Sequence, residues 1–230
     1  MTPSLVLLPG LNGTGDLFAP LLDELDGSPS TSFVQYPATE PLDYSGHEAI
    51  ARAALPGDRP FVLLGESFSG PIAVRIAASS PAGLRGLVLC ASFVRNPRPS
   101  LRALRQLTSF VSPRARPDWL AAFLVLGAYS TPGLRRMLDQ SLDGVTDAVV
   151  QSRVNSVLNV DVSREAREIR VPTLYLRAKS DRLVPARCGA EVARIVPSCR
   201  ILDFDAPHFL LQVAAASAAN AIKAFVTSVA

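Results

Sequence analysis

Three residues spread along the chain, Ser67, Asp181 and His208, have the types and the order that nucleophilic acyl chemistry requires. A serine hydroxyl is a weak nucleophile and needs a base to take its proton. Histidine does this near neutral pH, because its unperturbed pKa is about 6.5. A carboxylate on the other ring nitrogen fixes the tautomer and stabilises the imidazolium that forms. The chain has 2 histidines, His47 and His208. His47 precedes Ser67, which would reverse the order, and beside Glu48 it reads as a surface histidine on a helix. For the acid, Asp203 and Asp205 compete with Asp181, but both stand too close to His208 to come from the end of the preceding strand. Each residue has a plainer reading: Ser67 and Asp181 as capping or turn residues, His208 as a polar residue opening a helix. All three at the ends of apolar strands weigh against those readings.

The element that must position Ser67 is the stretch from Phe61 to Ala78. An apolar run, Phe61-Val62-Leu63-Leu64, leads into Gly65-Glu66-Ser67-Phe68-Ser69-Gly70 and then a helical pattern. A buried strand turning sharply into a helix would present the hydroxyl at the tip of the turn, a nucleophile elbow. Small residues are needed there because strand and helix pass close together, and Gly65 and Gly70 meet that need. Ser69 stands where the second glycine of G-x-S-x-G is usual.

Leu5 to Leu8 predicts a first buried strand. The glycine-rich loop Pro9-Gly10-Leu11-Asn12-Gly13-Thr14-Gly15-Asp16 follows, and Asp16 could cap a helix through Leu25. The loop can turn amides toward a small anion, or be a simple turn; it lacks the lysine of a Walker motif. Phe33 to Tyr36 predicts a strand, Tyr44 to Leu55 a helix, and Leu87 to Ala91 another strand. This alternation is the signature of a parallel sheet with helices on both faces. From Arg95 to Arg167 it stops, leaving helical patches at Leu101–Leu107, Asp118–Leu124, Leu134–Leu138 and Val149–Leu158. Such an insertion predicts a lid over the sheet's carboxyl edge, with a small helical domain as the alternative. The sheet resumes at Val171 to Ala178, followed by the Asp181 loop, a helix from Ala186 to Val196 and a strand from Arg200 to Phe204. His208 then opens a helix predicted to run from Phe209 to Val229. Ligands bind at the carboxyl ends of strands in such sheets.

With 48% apolar and 19% charged residues in 230, the chain has ample material for a folded core. The net charge is +3, and its arginines are scattered without lysine-rich blocks or interleaved aromatics, which argues against nucleic-acid binding. Cys90, Cys188 and Cys199 lack metal-ligand spacing and predict buried thiols in a reducing compartment, although Cys188 and Cys199 could pair. Leu5-Val6-Leu7-Leu8 is too short for a signal segment. No stretch approaches the roughly 20 apolar residues of a membrane span. A cytoplasmic protein without stable membrane insertion is expected.

The segments Leu7-Leu8-Pro9-Gly10-Leu11, Leu64 to Gly70, Leu176 to Pro185 and Ala206-Pro207-His208-Phe209 resemble those of the α/β-hydrolase superfamily, and the likeness covers nearly the whole chain. Within it the chain is similar to compact bacterial serine esterases with a short helical lid. Carrier-protein methyl-ester esterases and chloroplast phytyl-ester acyltransferases are further relatives it resembles. The resemblance implies an α/β-hydrolase fold, a mostly parallel central sheet with helices on both faces. Its core would be residues 1–94 and 168–230, with a lid over 95–167. It implies Ser67 as nucleophile, Asp181 as orienting acid and His208 as general base. The backbone N–H groups of Phe68 and Leu11 would hold the oxyanion. Many relatives have His-Gly where this chain has Pro9-Gly10, so Asn12 is an alternative to Leu11. The implied activity is carboxylic-ester hydrolysis through an acyl-enzyme, with neither metal nor organic cofactor. Acyl transfer to an alcohol and a non-catalytic receptor are the alternatives. Trp119, Phe123 and Phe209, with Phe93, Phe110, Leu124 and Leu126, would either line an acyl pocket for a small ester or pack the lid onto the sheet. Arg95, Arg98, Arg102 and Arg105 read as a solvated face; lining the cleft, they would favour an anionic substrate or a carrier protein.

Overall fold

The apolar runs become the middle of a six-stranded sheet in which every strand is parallel to its neighbours. The computed structural model describes residues 2–100 and 118–230. The helical patch expected at 101–107, together with Phe110, Arg102 and Arg105, lies outside the described residues.

The strands are β1 (Ser4–Leu8), β2 (Thr31–Phe33), β3 (Phe61–Glu66), β4 (Leu84–Cys90), β5 (Thr173–Ala178) and β6 (Cys199–Phe204), in the order β2-β1-β3-β4-β5-β6. Between them run α1 (Ala19–Leu25), α2 (Tyr44–Ala53) and α3 (Gly70–Ala78). Between β4 and β5 lie α4 (Asp118–Val125), α5 (Pro132–Gln140), α6 (Asp147–Asn159) and α7 (Ser163–Ala166). The chain then adds α8 (Ala186–Ile195), α9 (Leu210–Val213) and α10 (Ala215–Ser228).

Because strand side chains alternate between faces, the continuous apolar runs bury both sides of the sheet. Val6, Leu8, Phe61, Leu63, Leu87 and Leu89 face one layer, packed with Ile72 and Ile76 of α3 and Val192 of α8. Leu5, Leu7, Val62, Leu64, Val88 and Leu174 face the other, with Leu21 of α1 and Ile222 and Phe225 of α10. This two-sided cover is what a purely parallel sheet demands.

The register brings the carboxyl ends of the strands level. Leu8 lies beside Gly65, Glu66 beside Cys90, and Ala178 beside Phe204. The loops carrying Leu11, Ser67, Asp181 and His208 therefore leave the same edge. The helical insertion starts and returns beside that edge: Arg95 and Asp161 form an isolated antiparallel bridge, with Val162 N–H donating to Val94 C=O at 2.7 Å.

Two elements differ from the expectation. The strand expected at Phe33 to Tyr36 pairs earlier, at Thr31–Phe33, after which the Tyr36 amide donates to Gly13 C=O at 2.8 Å, so this segment braces the glycine loop instead of extending the sheet. The closing helix breaks at Ala214, whose backbone (φ −114°, ψ 35°) is not helical. Among the described residues no helix is long and apolar enough to cross a membrane.

Candidate active site

Ser67 sits at the sharp exit of β3, with φ of 45°, a left-handed backbone in a residue that is not glycine. Such strain persists only where the surroundings enforce it. Here Ser92 Oγ–H donates to the Ser67 carbonyl at 2.7 Å, and Tyr175 O–H holds the Ser92 carbonyl at 2.6 Å. The turn also needs Gly65. A Cβ there would lie 2.8 Å from the Ala73 Cβ and 2.9 Å from the Ser69 carbonyl oxygen. Gly65→Ala must therefore push α3 off the strand, at a cost of about 1–3 kcal/mol. The expected result is a melting temperature lower by about 2–4 °C per kcal/mol and, since Ser67 moves with α3, a loss of kcat approaching 10²-fold. Thermal melts and initial rates check it. Ser69, in place of the usual glycine, is fully buried, and its hydroxyl donates to the Pro9 carbonyl while meeting Tyr36 Oη at 3.1 Å. That serine ties the elbow to the loop after β1.

His208 Nε2 lies 2.9 Å from Ser67 Oγ, and its Nδ1 lies 2.8 Å from Asp181 Oδ2. The Asp181 carboxylate is held in turn: Oδ1 accepts the Leu183 and Val184 amides, each at 2.8 Å. Asp203 and Asp205, the competing acids, instead pair with Arg177 and Lys179 at the surface. Burial pulls the His208 pKa down, but the charge and hydrogen bond of Asp181, aided by the Glu66 charge, outweigh it, and the net shift is upward. Glu66 is itself buried beside the serine, and burial pushes its carboxyl up, against the opposing effects of His208, Gln212 and the Gly10 amide.

Leu11 belongs to the loop after β1. Gly10 C=O accepts the Gly13 amide at 3.1 Å, so the Leu11 N–H of the same trans peptide points the opposite way. Gly10, Leu11, Asn12, Ser67, His208 and Phe209 line one cavity of about 170 Å³, whose apolar wall includes Leu17, Val125, Leu138 and Leu183. The Phe68 side chain points away from it, buried and stacked on Tyr44 at 4.8 Å.

Phe209 is thus on the cavity wall, whereas Trp119 and Phe123 are not. They are 68% and 51% exposed and line a separate depression with Arg135 and Asp139. The Phe123 ring lies under the Arg182 guanidinium at 4.0 Å. Helix α4 is apolar on every side, so its sequence does not show which face turns inward; the packed face carries Ala122 and Val125, with Leu126 just beyond. Phe93 is a core residue of the sheet. Arg95 pairs with Glu191, and Arg98 donates to the Arg182 and Leu183 carbonyls, so neither projects into the cavity.

His47 overturns its surface reading: it is fully buried, with Nδ1–H donating to Asp43 C=O at 2.7 Å and Nε2 accepting from Arg153 Nε at 3.3 Å. Its partner 106 residues away is invisible to local spacing. Arg153 was not among the expected site residues, yet its position beside Val149 and Val150 on the buried face of α6 is a readable signal. All three cysteines are free; burial pushes Cys188 and Cys199 to about 11. Among the described residues no three His, Cys, Asp or Glu side chains gather as a metal ion would need.

A sequence profile of the alpha/beta hydrolase family matches residues 5–220. The chain belongs to the α/β-hydrolase family. This hydrolase is 29% identical to the pyrrolizixenacetamide deacetylase of Xenorhabdus hominickii over 165 residues, 65% of this chain and 59% of that protein. The chain thus spans less than two thirds of that relative's length. It is 28% identical to the pimeloyl-[acyl-carrier protein] methyl ester esterase of Xanthomonas oryzae pv. oryzae over 219 residues, 87% of this chain and 85% of the other. In fold the hydrolase is similar to the enol-lactonase from Burkholderia xenovorans, with a TM-score of 0.84 at 18% identity, covering 99% of this chain and 92% of that one.

Proposed function

We propose that this α/β-hydrolase cleaves a small carboxylic ester through an acyl-enzyme on Ser67. The observation that carries the reading is the continuous contact from Ser67 through His208 to Asp181 around a strained serine. Ser67 Oγ attacks the ester carbonyl as His208 Nε2 takes its proton. The carbonyl oxygen becomes an oxyanion held by the amides of Phe68 and Leu11, each donor contributing about 3 kcal/mol. Collapse breaks the C–O bond, and His208 returns the proton to the leaving alcohol. Water then attacks acyl-Ser67 with His208 again as base, releasing the acid and restoring the serine. Relatives named as a deacetylase and as a methyl ester esterase support this reaction class.

The insertion over 95–167 acts as a lid, contributing Val125 and Leu138 to the cavity wall. About 170 Å³ is small beside the roughly 300–1,000 Å³ of sites for drug-sized ligands, which suits a short apolar acyl group. The free thiols, Cys90 and Cys188 buried and Cys199, against expectation, only half-buried, fit a reducing, cytoplasmic setting.

The test is hydrolysis of p-nitrophenyl esters from acetate to palmitate, with fluorophosphonate labelling in parallel. The expected result is one labelled serine per chain, abolished activity after labelling, and an optimum at the short end. A palmitate optimum would reject the pocket assignment, and unlabelled, inactive protein would reject the reaction. Since the base must be neutral to accept the serine proton, kcat/KM should rise with pH through an apparent pKa above 6.5, the direction of the His208 shift. A midpoint below 6.5 would contradict the charge environment described for His208.

A further inference from the structure

Among the described residues Arg153 is the largest side chain buried without exposure. Its hydrogen-bond partners among the described residues are three carbonyls and an imidazole, not a carboxylate, and its guanidinium lies over the Tyr36 ring, 5.9 Å from the centroid. Nη1 donates to Leu11 C=O at 2.8 Å and Asn12 C=O at 2.9 Å, Nη2 to Pro37 C=O at 2.8 Å, and Nε to His47 Nε2 at 3.3 Å. Burying a cation without a counter-ion is costly. A leucine or methionine at this place on α6 would cover the same apolar face without that cost, so packing alone does not account for the arginine.

What the guanidinium grips is the loop after β1. A trans peptide directs its C=O and N–H oppositely, so a pinned carbonyl aims the amide on its other side. The Asn12–Gly13 unit has its C=O on Arg153 and its N–H on Gly10 C=O. The Gly10–Leu11 unit has its C=O on that amide, leaving the Leu11 N–H directed away from it. Two peptide units thus connect the guanidinium to the Leu11 amide. Gly13 allows the approach: its φ is +79°, and a Cβ there would lie 2.5 Å from Arg153 Nη1. Burial lowers the arginine to about 10, still charged at neutral pH. His47 suits this partner because burial, reinforced by the Arg153 charge, opposes its protonation, keeping Nε2 an acceptor.

We propose that Arg153 is the positioning residue of the oxyanion loop: from the helical insertion it holds the Leu11 amide in its donating direction, and its charge beneath the loop favours the developing oxyanion. The proposal rests on the acyl-enzyme reading above. It gives the insertion a part in the chemistry in addition to covering the cavity.

Lysine at 153 keeps a charge but carries its donors on one nitrogen, which cannot span the positions that the guanidinium fork reaches. The experiment compares wild type, Arg153→Lys and Ser67→Ala on p-nitrophenyl acetate, with active sites counted by exhaustive fluorophosphonate labelling. In Arg153→Lys, kcat per labelled site should fall by about 10²-fold, as when an oxyanion donor is lost, with KM within about 3-fold. The inhibition constant of a trifluoromethyl ketone, whose adduct carries the oxyanion, should rise by the same factor as kcat/KM falls. Unchanged kcat per labelled site, or an unchanged inhibition constant, would overturn the proposal. If Arg153→Lys does not fold, His47→Ala, which removes the acceptor of Nε together with the Asp43 hydrogen bond and the ring contacts with Tyr36 and Phe68, decides: a several-fold loss of kcat at constant KM, matched by an equal rise in the trifluoromethyl ketone inhibition constant, supports the proposal, and wild-type kcat or an unchanged inhibition constant overturns it. Activity surviving in Ser67→Ala would instead strike the acyl-enzyme reading itself.

Discussion

Ser67→Ala is expected to lower kcat on p-nitrophenyl acetate by about 10⁶-fold, the scale seen when the nucleophile of a comparable triad is removed. The expected residue of activity, about 10³–10⁴ over the uncatalysed reaction, comes from binding and the oxyanion donors, which are backbone groups the substitution leaves in place. Folding should be nearly unaffected. The variant loses one hydrogen bond to His208, worth about 1 kcal/mol, and the positive φ at this position is equally unfavourable for alanine and serine. The measurement is kcat beside a thermal melt. A melting temperature near wild type with the large rate loss assigns the effect to chemistry; a collapse of both would assign it to the elbow's structure.

Asp181→Asn is the second large effect, about 10⁴-fold in kcat, and its direction follows from which oxygen does what. Oδ1 takes two backbone amides, from Leu183 and Val184, while Oδ2 takes the imidazole. An asparagine must keep its oxygen toward the two amides, which turns its NH₂ group toward His208 Nδ1. That contact admits only an Nδ1 acceptor, so the proton moves to Nε2 and the imidazole can no longer accept the Ser67 proton. The carboxylate's charge is lost as well, so the apparent pKa of the remaining activity should fall relative to wild type. Retained kcat would show that Asp181 does not orient the base, and an unshifted pH profile would show that its charge does not govern His208.

Most of the site's parts were legible in the sequence because they obey local rules. The apolar run into Gly65-Glu66-Ser67 announces a strand that turns sharply, and the parallel alternation puts the Asp181 and His208 loops at the same sheet edge. With His47 on the wrong side of Ser67 in the chain, His208 has no rival as the histidine that meets Ser67, and the surface pairs Arg177–Asp203 and Lys179–Asp205 account for the two competing acids. What escaped is non-local. His47 looked exposed because its helix carries polar neighbours, yet its burial is decided by Arg153 and by Tyr36, whose ring meets it edge-on at 4.7 Å. Trp119 and Phe123 looked like pocket residues because hydrophobicity marks candidates for burial without saying which face of an apolar helix is buried. Ser69 departs from the glycine pattern, and only the structure supplies the compensation, its hydroxyl meeting the Pro9 carbonyl and Tyr36. The break at Ala214 has no counterpart in the Ala-rich sequence, which contains no helix-breaking residue there.

The most direct test of the central claim is to quench the reaction with a p-nitrophenyl ester at acidic pH within the first turnover and map the peptides by mass spectrometry. The expected result is one acyl group, carried on the peptide containing Ser67, appearing with a burst of p-nitrophenol and absent from Ser67→Ala. Turnover without an acylated peptide, or an acyl group on any other residue in step with the burst, would contradict it.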